Sequence, residues 1–337
     1  MNKSLLFLFL FGFIQNSIAQ QDGYQTHFQF NEISFNPSYA GKTPNAICVS
    51  SLFHQQYLGF ESDEIRDAKQ NSVIKPYNIA PQTQFYTVSA RLQNNLGIAI
   101  QLMNDRIGPQ SITLPKVQMA YYFNWSTSHL AIGFYAGALQ KSLDGSKLIP
   151  LSMMQSPYQP DPLVPDNLVT DTKLDLGIGI HYQKSTFFNL KLGASLTHLR
   201  NKKYQFTNYQ SQIVVFSSTL PHLYFNGSMD FPLQSKLVIQ PNILIKYGGK
   251  WQYDLNVLAI YNQSYYTGFS YRQGDNLNWI LGYMIGNFKA GYAFDWVLSQ
   301  LRPGSKTTHE IFIQYCFKIS KRTSYLINPR HMKDYSF

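Results

Sequence analysis

Strict alternation over segments of about ten residues constrains this chain more than anything else in its sequence. In residues 95–104, Leu96, Ile98, Ile100 and Leu102 share one side, with Asn95, Gly97, Ala99 and Gln101 on the other. Residues 129–139 repeat the design, setting Leu130, Ile132 and Phe134 against Ala131, Gly133, Tyr135 and Gly137. Residues 174–182 set Leu174, Leu176, Ile178 and Ile180 against Asp175, Gly177, Gly179 and His181. A period of two is that of a β-strand, whose successive side chains point to opposite faces. An apolar face backed by a small or polar one means a sheet with unlike surroundings on its two sides.

Fourteen segments of this kind are read along the chain, near 46–57, 82–92, 95–105, 114–124, 129–139, 171–183, 187–198, 221–232, 236–247, 251–262, 265–273, 277–286, 288–298 and 308–319. The number is even. Most segments run ten residues or more, close to the ~9–11 that cross a bilayer at a tilt and longer than the ~5–6 of a soluble strand. Pro232 and Pro241 fall in or beside two of them, where a missing N–H weakens pairing. The connections alternate at first. Residues 58–81, 106–113, 140–170 and 199–220 are long, whereas 93–94, 125–128, 184–186 and 233–235 are short. Outer-membrane barrels have this asymmetry, with short periplasmic turns and long outer loops. The stretch 148–171 carries Pro150, Pro157, Pro160, Pro162 and Pro165 and reads as an irregular outer loop.

Composition removes the competing classes. Charged residues are 14% of the 337, against ~25% in an ordinary soluble protein. Aromatics reach 15%, which argues against a disordered chain. No apolar run approaches the ~20 residues of a spanning helix. A sheet with one side in lipid must have no open edge, because an unpaired backbone group in hydrocarbon costs several kcal/mol. The expected fold is therefore all-β: a transmembrane outer-membrane β-barrel of about 14 antiparallel strands. A soluble β-sandwich or propeller would have shorter strands and more charge, and no 20–50-residue repeat speaks for a propeller.

At the N-terminus Lys3 precedes the apolar stretch Leu5 to Ile14, with small residues at Ser17 and Ala19. This reads as a secretory signal peptide cleaved after Ala19. The expected division is a signal peptide at 1–19, a periplasmic N-terminal segment at 20–45, the barrel at 46–319 and a periplasmic C-terminal tail at 320–337.

The sequence holds no HExxH, GxSxG, GxGxxG or Walker pattern, and Gly177-Ile178-Gly179 lacks a third glycine. No Cys or His spacing suits a metal. No enzyme activity, cofactor or metal is expected. Strand parity turns ionisable residues of both signs inward, among them His54, Arg91, Lys116, Asp175, Lys246 and Asp254. Such a lumen can be salt-bridged and plugged, conducting, or a binding site for a partner. Arg272, Asp295 and Glu310 are candidates for one internal charge network, with separately solvated charges as the alternative. Cys48 and Cys316 also face inward, on the first and last strands, which are neighbours in a closed barrel. A seam disulfide and two unlinked thiols are both open. The excess of 28 Lys+Arg over 18 Asp+Glu suits lipopolysaccharide phosphates or an acidic partner. Nucleic acid is not an expected partner.

Several short motifs carry a resemblance. Phe35-Asn36-Pro37-Ser38-Tyr39-Ala40-Gly41 follows His27-Phe28-Gln29-Phe30-Asn31. In order come His54-Gln55-Gln56-Tyr57, Asn104-Asp105-Arg106-Ile107-Gly108-Pro109, Gly193-Ala194-Ser195-Leu196-Thr197-His198-Leu199 and Pro241-Asn242-Ile243. Gly268-Phe269-Ser270-Tyr271-Arg272, Gly291-Tyr292-Ala293-Phe294-Asp295 and Thr308-His309-Glu310-Ile311 complete the set. Order and spacing together resemble the PorP/SprF family of Bacteroidetes outer-membrane proteins. Tyr57 stands where that family usually has Trp, and His54 where it has Arg. The resemblance implies a barrel of the type IX secretion system, without enzyme activity, that assists export or surface attachment of a large adhesin-like cargo, as in gliding motility. It also implies contact with the periplasmic ring components of the machinery. Asn36, Pro37, Tyr39, Gly41, His54 and Gln56 are then candidates for partner docking, with a plain turn before the first strand as the other reading of the Asn-Pro motif. Two other functions stay open: a porin-like channel for small solutes, and an outer-membrane enzyme or sugar-binding β protein.

Overall fold

The structure, a computed structural model, describes residues 23–61, 65–66, 72–74, 78–92, 95–148, 161–298 and 307–319. The expected signal peptide and C-terminal tail lie outside the described residues. In chain order the strands are β1 (Ala46–Gln55), β2 (Ile65–Arg66), β3 (Ser72–Ile74), β4 (Gln82–Arg91) and β5 (Leu96–Ile107). Next come β6 (Gln110–Asn124), β7 (Ser128–Asp144), β8 (Leu168–Lys184), β9 (Leu190–Thr197), β10 (Lys202–Thr207) and β11 (Ile213–Thr219). The remainder are β12 (His222–Ser228), β13 (Phe231–Gln234), β14 (Leu237–Tyr247), β15 (Trp251–Tyr261), β16 (Tyr265–Arg272), β17 (Asn276–Ile285), β18 (Phe288–Val297) and β19 (Thr308–Lys318).

Fourteen of these form one closed antiparallel ring: β1, β4 to β9, β12 and β14 to β19, each paired with the next, with β19 returning to β1. Closure leaves no edge in lipid, which is the condition the alternating sequence imposed. The β1–β19 seam runs from Ala46↔Lys318 to Gln55↔His309. Cys48 faces Cys316 within it, and the two sulfurs are bonded.

The wall's two faces divide by parity. Ile100, Ile132, Phe134, Ile178 and Ile180 are exposed on the outside, while Asp175, His181, Arg272 and Glu310 are buried on the inside. Aromatic side chains band the outer surface at both ends of the strands. Trp251 and Tyr261 open and close β15, and both are exposed. Ten steps of ~3.3 Å at a tilt of ~40° span ~25 Å, the height of an outer-membrane apolar band.

Several expectations are corrected. The segment read as one strand at 221–232 is two, because pairing with β14 stops at Ser228 and resumes at Phe231, where Pro232 sits in the short β13. The connection read as long at 106–113 is a two-residue turn, Gly108-Pro109, because β5 and β6 continue pairing to Ile107↔Gln110. The long loop after β9 contains its own hairpin, β10–β11, and the loop after β1 carries the small pair β2–β3. Most important, the N-terminal segment expected in the periplasm is folded into the barrel.

Candidate functional site

The lumen is occupied by the N-terminal segment, here called the strap. It runs the length of the barrel. Gly23 lies against Thr83 and Asp105, near the end of β4 that follows the long 58–81 connection and the end of β5 that turns into β6. Gly41, in contrast, meets Ser89 and Ala90 at the short-turn end of β4. The strap then turns at Asn45 into β1.

Its descending half is held by charge. Glu310 is fully buried and accepts the backbone N–H of Thr26 (2.7 Å) and of His27 (2.6 Å). The same carboxylate faces His27 Nδ1 at 2.6 Å and His54 Nδ1 at 2.9 Å, so four nitrogens surround one anion. The Thr26 hydroxyl donates to Asp295 (3.3 Å) and accepts from Asn278 (3.0 Å). Arg272 donates to Asp254 (3.0 Å) and to the carbonyl of Gln25 (3.3 Å), and its guanidinium lies 4.5 Å from the Tyr24 ring. Arg272, Asp295 and Glu310 thus converge on consecutive strap residues. They are linked through Gln25, Thr26 and His27, while Arg272 spends its ion pairs on Asp254 and Asp275. Sequence reading did not single out the partners Thr26 and His27, which lie where no alternation marks a face.

The lower half is held by shape. Asn36 caps the Pro37–Tyr39 turn by accepting from Ser38 N–H (3.0 Å) and Ser38 Oγ (2.6 Å). Its amide donates to the wall carbonyls of Ile180 (3.1 Å) and Ala194 (3.3 Å). The turn lies so close to the wall that a Cβ at Gly133 would strike the Pro37–Ser38 backbone, and one at Gly179 the Asn36 side chain. The small inner face of β7 and β8 therefore makes room for this turn. Ser38 Oγ reaches His181 Nδ1 (3.0 Å), and the Tyr39 ring stacks on His181 at 4.2 Å. Tyr39 accepts from Asn226 (2.8 Å), while Ala40 O accepts from Tyr122 (2.8 Å). Arg91, stacked 3.5 Å over Tyr122, donates to Gly41 O (2.7 Å).

Of the docking candidates, Asn36, Pro37, Tyr39, Gly41 and His54 are buried against the barrel's own wall, and Tyr39 also lines an internal cavity. Gln56 is half-buried and lies 3.2 Å from His54 Nε2.

A second plug closes the long-loop half. The β10–β11 hairpin folds inward, burying Tyr204 and Phe206, with Tyr204 in one cluster with Phe85, Met103, Leu114 and Leu139. Asp175 anchors its base, accepting from Tyr135 (2.8 Å), meeting His198 Nδ1 (2.9 Å) and pairing with Lys202. Lys141 donates to the carbonyl of Ser218 (2.8 Å). Among the described residues, no group of three His, Cys, Asp or Glu side chains is placed to hold a metal ion.

The fold and its filled interior define a class: an integral β-barrel of the outer membrane with an internal plug. The chain belongs to the family described as type IX secretion system membrane protein PorP/SprF, which it matches over residues 17–315. It is thus a membrane protein of that secretion system, located in the outer membrane and associated with its machinery. No curated protein matches the sequence. Solved barrels are similar in outline only. The CymD monoaromatic hydrocarbon channel has a TM-score of 0.48 at 11% identity, over 86% of this chain and 92% of that one. A Pseudomonas aeruginosa FadL homologue has 0.46 at 11%, over 88% and 94%. The P. putida toluene transporter TodX has 0.47 at 10%, over 83% and 90%.

Proposed function

We propose that this barrel serves type IX export by holding or guiding a large adhesin-like cargo at the cell surface, and is not a small-solute pore. The observation that carries the reading is the filled lumen: a strap bonded to the wall at Glu310, Asn36 and Arg91, beneath a hairpin bonded at Asp175. A porin interior is polar and water-filled, whereas this one is spent on internal contacts. The cargo then meets the outer rim, where the hairpin exposes Tyr209, Ile213 and Val215. The excess of basic residues suits contact with lipopolysaccharide phosphates around the barrel.

The test is affinity purification of a tagged copy from detergent-solubilised outer membrane, followed by mass spectrometry. A very large exported protein, or periplasmic ring components, should accompany the barrel. Planar-bilayer recording of the purified chain should give no steady ohmic conductance. A barrel recovered alone that conducts would replace this reading with the porin-like one.

A further inference from the structure

The lumen is not filled evenly. Beneath the strap, at the short-turn end, lies a cavity of 270 Å³. Its roof is Gln29, Phe30, Glu32 and Ile33 of the strap. Its wall residues, including Cys48, Ser89, Lys191, Gln240, Lys289 and Gln314, all lie in the short-turn halves of their strands. Tyr39, Lys42 and Thr43 of the strap complete the lining, and the cavity forms a vestibule on the short-turn side of the barrel.

Three cations and one carboxylate line it. Lys42 pairs with Glu32 at 2.6 Å. Neither Lys191 nor Lys289 has a carboxylate partner among the described residues; Lys289 Nζ instead lies 4.2 Å over the Phe30 ring. The lining therefore holds two more ammonium groups than carboxylates, and the nearby Asp230 carboxylate is taken up by Asn189 and Gln240. Independently, the Gln29 side chain lines the same cavity, is only 8% exposed, and has neither its amide nitrogen nor its oxygen hydrogen-bonded. Buried polar groups without partners are rare and call for a specific reason. Gln25, Thr26, Asn31 and Asn36 use their side-chain polar atoms on the wall or on one another, whereas Gln29 leaves its amide unused at a cavity lined by ammonium groups.

We propose that the vestibule binds a carboxylate-bearing peptide segment that enters from the short-turn mouth. Lys191 and Lys289 supply the charge and Gln29 the donor at the closed end. A peptide is favoured over a bare inorganic anion because Ile260 and Met284 share the lining with the amides of Gln240 and Gln314. Methylene, amide and ammonium groups together match an acidic side chain with its backbone, and a small anion would leave the apolar wall unused. At ~30 Å³ per water the space equals about nine waters, room for one or two acidic side chains. That this mouth opens to the periplasm rests on the secretion reading above; the chemistry of the site does not.

The test uses the full mature chain in detergent, without the secretion machinery, so it reads the site independently of cargo. A fluorescein-labelled hexaglutamate peptide is titrated by anisotropy against a hexaglutamine control. Hexaglutamate should bind at least tenfold tighter, and more weakly as salt rises. Lys191→Met should weaken it at least tenfold and Lys191→Arg should restore it. Lys289→Met with Gln29→Leu should weaken it further, heat-modifiable migration on a gel reporting that each variant is a folded barrel. Equal binding of the two peptides, or full hexaglutamate binding to Lys191→Met, overturns the proposal. Displacement of the peptide by inorganic phosphate at a tenth of the concentration needed with free glutamate also overturns it, because the site then selects phosphate.

Discussion

The two halves of the lumen contain similar residues and use them in opposite ways. In the long-loop half the buried carboxylates are met by partners: Glu310 by two backbone N–H groups with the His27 and His54 rings beside it, Asp175 by Tyr135, His198 and Lys202, Asp254 by Arg272 and Gln252, Asp295 by Thr26 and Asn276, and Asp105 by Thr83. In the short-turn half Lys191 and Lys289 face a cavity whose one lining carboxylate, Glu32, is paired with Lys42. A buried charge removed from water needs its partners on site. The upper half has them, and the result is a fixed plug. The lower half lacks them, so water or a ligand must supply them. The same contrast separates holding from binding within one barrel.

Replacing the central anion should break the upper half hardest. Glu310→Leu leaves two backbone donors and two imidazoles without their acceptor in a site closed to water. Breaking one side of a buried charge cluster costs about 3–5 kcal/mol. The expected outcome is a large fall in the urea midpoint of heat-modifiable barrel, together with protease access to the strap. If the strap stays protected, Glu310 does not hold it.

Reducing the seam should come next. With Cys48 bonded to Cys316, the first and last strands cannot separate. A disulfide typically contributes about 2–4 kcal/mol. Cys48→Ser should lower the unfolding midpoint accordingly, and the wild-type chain should match it under reductant. The strap should remain protected in the folded state, since neither sulfur holds it.

The third test compares the wall's two faces. Ile132 is exposed on the lipid side, and an arginine near mid-membrane there costs about 2–4 kcal/mol. Its neighbour Gly133 faces inward beneath the Pro37–Ser38 backbone, so Gly133→Val should instead dislodge the strap through overpacking. Ile132→Arg should lower the yield of assembled barrel in the membrane. Gly133→Val should assemble but expose the strap to protease. Normal assembly of Ile132→Arg at wild-type levels would mean the facing assignment is wrong at that strand.

How much of this was legible follows from the range of each signal. Leu130, Ile132 and Phe134 announce a wall because period-two alternation is local and lipid enforces it on every strand. Gly133 and Gly179 were legible as small inner-face residues, but not as the seat of a turn: Ser38 and His181, which meet there, are 143 residues apart. His27 was visible as the first residue of the His27-Phe28-Gln29-Phe30-Asn31 motif, but nothing in it pointed to Glu310, which lies 283 residues away. The β10–β11 hairpin passed for a loop, since its strands are short and Tyr204 and Phe206 alternate for only a few residues. The Asn-Pro-Ser-Tyr motif was visible as turn chemistry, yet the sequence could not say that the turn is inside. That depended on the barrel being wide enough to admit the chain, a property of fourteen strands together.

The smallest expected effect is the one that best separates the two ways the strap is held. Asn36→Ala removes the cap on the Pro37–Tyr39 turn and the amide donors to the carbonyls of Ile180 and Ala194. Loss of a cap costs about 1 kcal/mol, and a lost neutral hydrogen bond a similar amount. Those wall carbonyls already accept ladder bonds, so losing a second donor leaves them satisfied and the total should stay near 1–2 kcal/mol. Glu310 lies at the other end of the strap and keeps residues 25–27 in place, so the strap should loosen from one end only. Hydrogen exchange should quicken at Ser38 through Gly41 while Thr26 and His27 stay protected and the amides of β7 and β8 are unchanged. Equal acceleration at both ends would mean that the strap opens as one unit and that its charged and shaped halves are not independent anchors.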